Sequence, residues 1–405
     1  MKLTGKYSEA IIYTKNVEDT ALEQIQELLD IESFKNSKIR IMPDVHAGKG
    51  CVIGFTANMG DKVIPNIVGV DIGCGMHTTY LGKVDLDLPK IDKFIHEEIP
   101  SGKNINQEKK HDFIDEINKV RCIRSIKGRS KEWNRAIGSL GGGNHFIEIN
   151  EDNDQNKYLV IHSGSRNLGN RVANFYQQEA IQYHGGLNDV YRAAKENIIE
   201  TYKKEGKRQE IQKRLKELKK EFEKEPTIPN DLCYLEGQLK EDYFHDMKIC
   251  QRYAELNRET ISKRILDFLF GHTDFKMFHT THNYIDFNDN IIRKGAIRAL
   301  ENETVLIPIN MRDGSILAKG KGNPDWNYSA PHGAGRLYSR TRSKELINLE
   351  DFKKSMEGIY TTCVNDKTID ESPMAYKSID DIIDNIKDSV DIIKILKPIY
   401  NFKAS

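Results

Sequence analysis

No two of the six cysteines stand in a Cys-x-x-Cys pair, and they are scattered over 405 residues. That rules out a disulfide framework and makes a reducing cytoplasm the expected compartment. No window is apolar for long enough to span a membrane, and Met1 to Tyr7 has no apolar signal core. Neither a membrane nor a secretory route is therefore expected. An excess of charge of either sign is also missing: Lys plus Arg and Asp plus Glu number 61 each. A nucleic-acid site would have to be a local patch. Nucleotide fingerprints of the GxGxxG or P-loop kind are absent as well. At 38% apolar residues the chain can still bury a large core, as one elaborate domain or two, and no linker marks a split.

What the chain does have is a stretch, Asn66 to Met76, in which an apolar run (Ile67, Val68, Val70) breaks into glycines around Asp71 and Cys74. The run reads as a buried strand, and Gly73 and Gly75 let the backbone turn sharply after it. A carboxylate and a thiol so placed suit a borderline transition metal such as zinc, manganese or iron. A buried cysteine in a tight turn is the plainer alternative. Similar events recur. Tyr158 to Ile161 ends at His162, ahead of Ser-Gly-Ser-Arg166. The glycine triplet before Asn144 and His145 reads as a loop through which backbone approaches a ligand closely. Alternation beyond it puts Glu148 on the strand face of Asn144 and Phe146. Three strand ends with metal-capable residues beside glycine are hard to ascribe to accident. His282 and Asn283 add another pair. His332, between Pro331 and Gly-Ala-Gly-Arg336, sits in a tightly turned setting that suits a nucleophile or acid/base, with Arg336 placed to clamp a phosphate. Met42 to Gly50 gathers Asp44, His46 and glycines into a loop that could wall the same pocket.

Around these residues, strands are expected over 8–14, 38–42, 52–57 and 63–70, and from Val305 into a polar loop that reaches Ser315. Helices are expected over 20–31, 171–225 and 243–269, with another from about Ile379. Residues 85–135 look helical and charged. Their Lys/Arg run from Lys119 to Lys131 is either a solvated face or a track for a polyanion. Ile211, Leu215, Leu218 and Phe222 make a narrow apolar stripe on an otherwise charged helix. It reads as one arm of a protruding hairpin, serving packing or contact with a large substrate or partner. The sum is a mixed α/β chain of the α+β class, its strands stacked around a central cleft rather than in a doubly wound sheet.

The motifs Asp71-Ile-Gly-Cys74-Gly-Met, Gly142-Gly-Asn-His145-Phe-Ile-Glu148, His162-Ser-Gly-Ser-Arg166, His282-Asn283 and His332-Gly-Ala-Gly-Arg336 occur in one characteristic order. In that order, and over nearly its whole length, the chain resembles the RtcB family of RNA-splicing ligases. Met42-Pro-Asp-Val-His46, Tyr234-Leu-Glu-Gly237, Asn257-Arg258 and Asp370-Glu-Ser-Pro373 with Tyr376-Lys377 extend the match. The resemblance implies a GTP- and Mn²⁺-dependent enzyme that joins RNA 3′-phosphate or 2′,3′-cyclic phosphate ends to 5′-hydroxyl ends. The family does so through a guanylate carried on a histidine, in RNA splicing or repair. Carried over residue by residue, His332 is the nucleophile. Asp71, Cys74 and His145 would hold one Mn²⁺, and Cys74, His162 and His282 the second. Asn144, His145, Phe146, Ile147, Glu148, His282, Asn283, Pro308, Ile309, Asn310, Met311, Ser315, Gly333, Ala334 and Gly335 would lie along the guanylate pocket. Tyr376 and Lys403 would contact the guanine. The family fold implied is an α+β sandwich around the metal cleft, a single catalytic domain over 1–405 with a helical hairpin inserted at about 188–265. The chain departs from the family at Asn310-Met-Arg-Asp-Gly314, where a small Gly/Ser-Met-Gly turn is common, at Ala330-Pro331 and after Lys403. With the ligand set intact, these departures imply a divergent branch.

Elementary chemistry agrees with that picture. A thiolate and a carboxylate lower the charge of a two-metal centre, and two metals stabilise both the entering and the leaving oxygen of an in-line displacement. Phosphoryl-type transfer needs positioning and charge neutralisation, which Arg166 and Arg336 could assist. Histidine is largely neutral near pH 7 and leaves well once phosphorylated. Asp44 or His46 could handle the RNA 3′ end or a proton. Two rival readings use fewer of these residues. A metal-dependent RNA phosphatase or nuclease needs the metal set but not His332. A non-catalytic RNA-binding partner needs only the 203–224 helix.

Overall fold

The computed structural model describes residues 1–404, and these form a mixed α+β fold of fifteen strands and intervening helices. In chain order the strands are β1 (Lys2–Thr4), β2 (Glu9–Ile12), β3 (Ile39–His46), β4 (Ile53–Asn58), β5 (Gly75–Gly82), β6 (Phe146–Glu151), β7 (Lys157–Ser163) and β8 (Met277–Thr281). They continue with β9 (Asn283–Asp286), β10 (Ile291–Lys294), β11 (Ala296–Arg298), β12 (Thr304–Asn310), β13 (Gly314–Gly320), β14 (Ser329–Pro331) and β15 (Val390–Lys403). A first sheet runs β1-β2-β3-β4-β10-β9, a second runs β12-β13-β15-β6-β7-β5-β8, and β11 pairs with β14. Only β2 and β3 pair in parallel among these strands.

Alternation along the second sheet decides where the cleft lies. Ile147, Ile149, Leu159, Ile161, Tyr400 and Phe402 point to one face, where they pack with Ile261, Ile265 and Leu266 of helix Gly237–Phe270. The register sets Phe146 opposite His162, Glu148 opposite Val160 and Asn401, Lys403 opposite Phe146, and Met76 opposite His162. These side chains therefore share the other face. The first half of the same helix, with Tyr243, Met247, Cys250 and Tyr253, belongs to the core of the first sheet with Phe55, Ile285 and Ile292. At 34 residues it spans roughly 50 Å and ties the two cores together. No helix among the described residues is long and apolar enough to cross a membrane.

Several expected elements shift. Residues 63–70 hold a short helix, Pro65–Val68, in place of a strand. Pro65 suits a first helical turn, Gly69 ends it at φ +97°, and a short apolar run carries no period that separates strand from buried helix. The strand at 38–42 continues to His46, so Asp44 lies on a strand. Stretch 85–135 is helical only over Leu88–Glu98, Ile114–Asn118 and Ser130–Ala136, and most of the basic run is turn. Stretch 171–225 divides into Arg166–His184, Asp189–Lys204 and Ile211–Phe222, broken at Gly185-Gly186 and Gly206. Phe222 of the last helix meets Tyr191 of the middle one, ring centroids 5.7 Å apart.

Candidate active site

The turn before β5 exists because Gly73 takes φ +75° and leaves no room for a side chain. A Cβ there would lie 3.0 Å from Ala254 Cβ and from the Gln251 backbone. The fully buried Arg258 donates from Nη1 to the carbonyls of Gly73 (2.7 Å) and Ser163 (2.8 Å). One guanidinium thus ties the Asp71–Cys74 turn to the end of β7. Asn257 beside it accepts from the Gly138 N–H and donates to Ser163 Oγ, which fixes the glycine-rich loop as well.

Two rings are oriented by backbone. His145 donates from Nδ1 to the Leu140 carbonyl at 2.9 Å, and His162 from Nδ1 to the Asn144 carbonyl at 3.1 Å. Their Nε2 lone pairs then face inward. His145 Nε2 lies 3.1 Å from Asp71 Oδ2 and 3.5 Å from Cys74 Sγ. His162 Nε2 lies 3.2 Å from Cys74 Sγ and 3.4 Å from His282 Nε2. The ligand atoms form two trios, Asp71/Cys74/His145 and Cys74/His162/His282, each within 4.8 Å, and Cys74 belongs to both. Inward lone pairs and a carboxylate oxygen oppose one another here, an arrangement that divalent cations satisfy. Carboxylate, thiol and imidazole are the donor types such ions take. Burial, reinforced by neighbouring rings, pushes His162 and His282 well below the usual histidine range, so both rings are neutral. Burial and the Asp71 charge push the Cys74 thiol well up. A bound cation reverses that preference and favours the thiolate.

His332 follows β14 and stands with its ring centroid 4.8 Å from that of His282. Asp44, buried on β3, receives three hydrogen bonds on Oδ2: from His332 Nδ1 (2.6 Å), from the His332 N–H (3.1 Å) and from the Gly333 N–H (3.2 Å). Gly335 at φ +76° permits this approach, since a Cβ there would lie 2.3 Å from the Asp44 carbonyl oxygen. His46 donates from Nδ1 to the Asp44 carbonyl. Burial, aided by His332, outweighs that bond and brings His46 to about 4, so it is neutral.

The His332 loop opens onto a cavity of about 720 Å³. Asn144, Phe146, Glu148 and His162 line its sheet side, with Lys403 beside them. Pro308, Ile309, Asn310 and Met311 line a second wall, and His332 through Gly335 with Tyr376 a third. Burial lifts Glu148 to about 7 against the opposing effect of the Asn401 amide, which donates to it at 2.8 Å. Lys403 Nζ lies 2.7 Å from Glu371 Oε2 and donates to the Asn144 carbonyl at 3.0 Å. Tyr376 OH also donates to Glu371 Oε2. Burial alone would raise Glu371, but Lys403 and Arg340 hold it at about 2.

Not every expected residue reaches this cavity. Ile147 points into the opposite core, Ser315 is fully buried, and Asn283 accepts from the Gly295 N–H at 3.0 Å beside the turn. Asp71 and His145 line a separate cavity of about 480 Å³, together with Lys103, Arg166 and Asn170. The candidate ligand cluster therefore lies between two openings. Arg336 is engaged by Glu371, Tyr376 and the Asp370 carbonyl, and Arg166 by Ser139 and the Gly102 carbonyl. Sequence reasoning missed Asn401 and assigned no role to Glu371, which stands within Asp370-Glu-Ser-Pro373. Asn401 lies two residues before Lys403 on β15 and so shares its face.

A family profile described as tRNA-splicing ligase RtcB matches residues 24–404. The RNA-splicing ligase RtcB of Escherichia coli strain K12 is 29% identical over 99% of this chain and 99% of its own length. The tRNA-splicing ligases RtcB of Aeropyrum pernix and Methanococcus maripaludis are each 26% identical, over 92% and 98% of this chain and 89% and 94% of their own lengths. With a match from residue 24 to the last described position, the chain belongs to the RtcB family of RNA-splicing ligases.

Proposed function

We propose that this protein is a GTP- and Mn²⁺-dependent RNA ligase that joins 3′-phosphate or 2′,3′-cyclic phosphate ends to 5′-hydroxyl ends. The observation that carries the reading is the placement of two ligand trios, sharing Cys74, beside His332 at the wall of a nucleotide-sized cavity. Asp71, Cys74 and His145 would hold one Mn²⁺, and Cys74, His162 and His282 the other. When bound, the pair supplies charge neutralisation and Lewis acidity at phosphate oxygens. His332 acts as the nucleophile. Asp44 accepts a hydrogen bond from Nδ1–H and so fixes the tautomer that leaves the Nε2 lone pair free. Nε2 bonds to the α-phosphorus of GTP as the bond to the β-phosphate oxygen breaks and pyrophosphate leaves. The guanylate then passes to the RNA 3′-phosphate, and the 5′-hydroxyl displaces GMP.

Phe146 offers the base an apolar wall, and Glu148, Tyr376 and Lys403 offer an acceptor and donors around the guanine. Asn310 accepts from the N–H groups of Arg312 and Asp313, so that loop is self-capped beside the pocket. We read 1–405 as one catalytic domain with 188–265 as its helical insertion. The six unpaired cysteines suit the reducing cytoplasm. Supplying one RNA with a 3′-phosphate and another with a 5′-hydroxyl, plus GTP and Mn²⁺, tests the reading. A joined product that retains the 3′-phosphate in its new linkage is expected. Loss of the phosphate without joining, with or without GTP, would assign a phosphatase or nuclease instead.

A further inference from the structure

On the face of the second sheet turned away from the cleft, edge strand β8 presents His279 to helix Gly237–Phe270. Glu255 and Glu259, four residues apart on that helix, meet it. His279 Nε2 lies 3.8 Å from Glu255 Oε1 and 3.7 Å from Glu259 Oε1. One ligand atom of each lies within 4.8 Å of the others. Those separations are too long for hydrogen bonds. They match two ligands about one cation, each bonded at about 2.0–2.2 Å. Both ring nitrogens of His279 are buried and have no hydrogen-bond partner, a costly state for a polar group. Behind it His77, 3% exposed and edge-on at 4.8 Å between centroids, also has an unpartnered Nδ1. An adjoining cavity of about 360 Å³ leaves room for water.

We propose that Glu255, Glu259 and His279 bind a divalent transition cation, with water completing its shell, at a site separate from the cleft. It goes beyond the ligase reading and does not depend on it. The half-exposed Arg252, which reaches Glu255 at 2.7 Å and Glu259 at 3.3 Å, is the group the cation displaces. The buried Arg258 on the same helix is held by backbone carbonyls and stays in place. The bound ion fastens edge strand β8 to the helix, three residues before His282.

The test uses the full chain, stripped with a chelator and titrated with Zn²⁺ by calorimetry and elemental analysis. Cys74→Ala, which breaks both cleft trios, retains one tight equivalent. Cys74→Ala with Glu255→Gln and Glu259→Gln retains none. Adding Arg252→Ala to Cys74→Ala tightens that equivalent by roughly tenfold or more, because a competing charge is gone. Should Cys74→Ala fail to fold, Glu255→Gln/Glu259→Gln in the otherwise native chain lowers the stoichiometry by one. An equivalent that persists when both glutamines are added to Cys74→Ala, an unchanged stoichiometry when they are added to the native chain, or no Zn²⁺ beyond the cleft with Arg252 present or absent, overturns the proposal and leaves a plain ion-pair cluster.

Discussion

Replacing Asp44 by Asn keeps the shape of the His332 support and removes its charge. Asp44 is fully buried, and its Oδ2 collects the His332 ring proton and two backbone N–H groups of the same loop. A hydrogen bond to a charged group contributes about 1.5–3 kcal/mol. Loss of the charge at Nδ1 alone should slow guanylate transfer to His332 by roughly 10- to 150-fold. Asp44→Ala goes further. It leaves three donors facing a void, at about 1–3 kcal/mol each, and destabilises the fold along with the nucleophile. Asn is therefore the cleaner probe. Asp44 belongs to neither ligand trio, so metal content should stay at the native level. Single-turnover transfer of label from α-labelled GTP measures the rate, with metal content and melting midpoint taken on the same sample. A folded, metal-replete Asp44→Asn protein that labels at the native rate would refute the claim that Asp44 acts through His332.

Gly164→Ala should expel Asp71, since a Cβ there would lie 2.2 Å from its Oδ1 and 2.4 Å from its Oδ2. Elemental analysis should then find one Mn²⁺ fewer, and full occupancy would argue against Asp71 as a ligand. Cys74→Ser should weaken both cations, because one sulfur belongs to both trios; native Mn²⁺ content would remove Cys74 from the site. Glu371 titrates at about 2 when folded against 4.5 as its ordinary value. Its contribution of about 3 kcal/mol is complete above pH 4.5 and is lost as the pH falls toward 2. Denaturant midpoints between pH 5 and 3 should fall more steeply for the native chain than for Glu371→Gln, and parallel curves would contradict this.

Most of the candidate ligands were legible because they stand at strand ends beside glycine, a local signal that survives without tertiary knowledge. Asp71, Cys74, His145 and His162 announced themselves this way, His282 only through its pairing with Asn283, and the structure brings the five together. Partnerships across the chain were not legible. Asp44 and His332 are 288 residues apart, and nothing local to either shows that they meet. Arg336 read as a phosphate clamp from its motif and Arg166 as an aid to charge neutralisation, yet protein acceptors nearby engage both. β15 was missed because Lys394, Lys397 and Pro398 interrupt its apolar pattern. Its partners β13 and β6 lie far off in sequence, and it runs through the middle of the sheet with a bulge at Pro398. The run 67–70 went wrong for a different reason. Three apolar residues around Gly69 fit either period, and Pro65 was the only cue to a helix.

Incubating the protein with α-labelled GTP and Mn²⁺, then mapping the modified peptide by mass spectrometry, tests the account at its centre. An acid-labile guanylate on His332 is predicted, absent from His332→Ala and from metal-stripped protein. Protein that joins RNA ends while carrying no guanylate, or carrying it on another residue, would contradict the account.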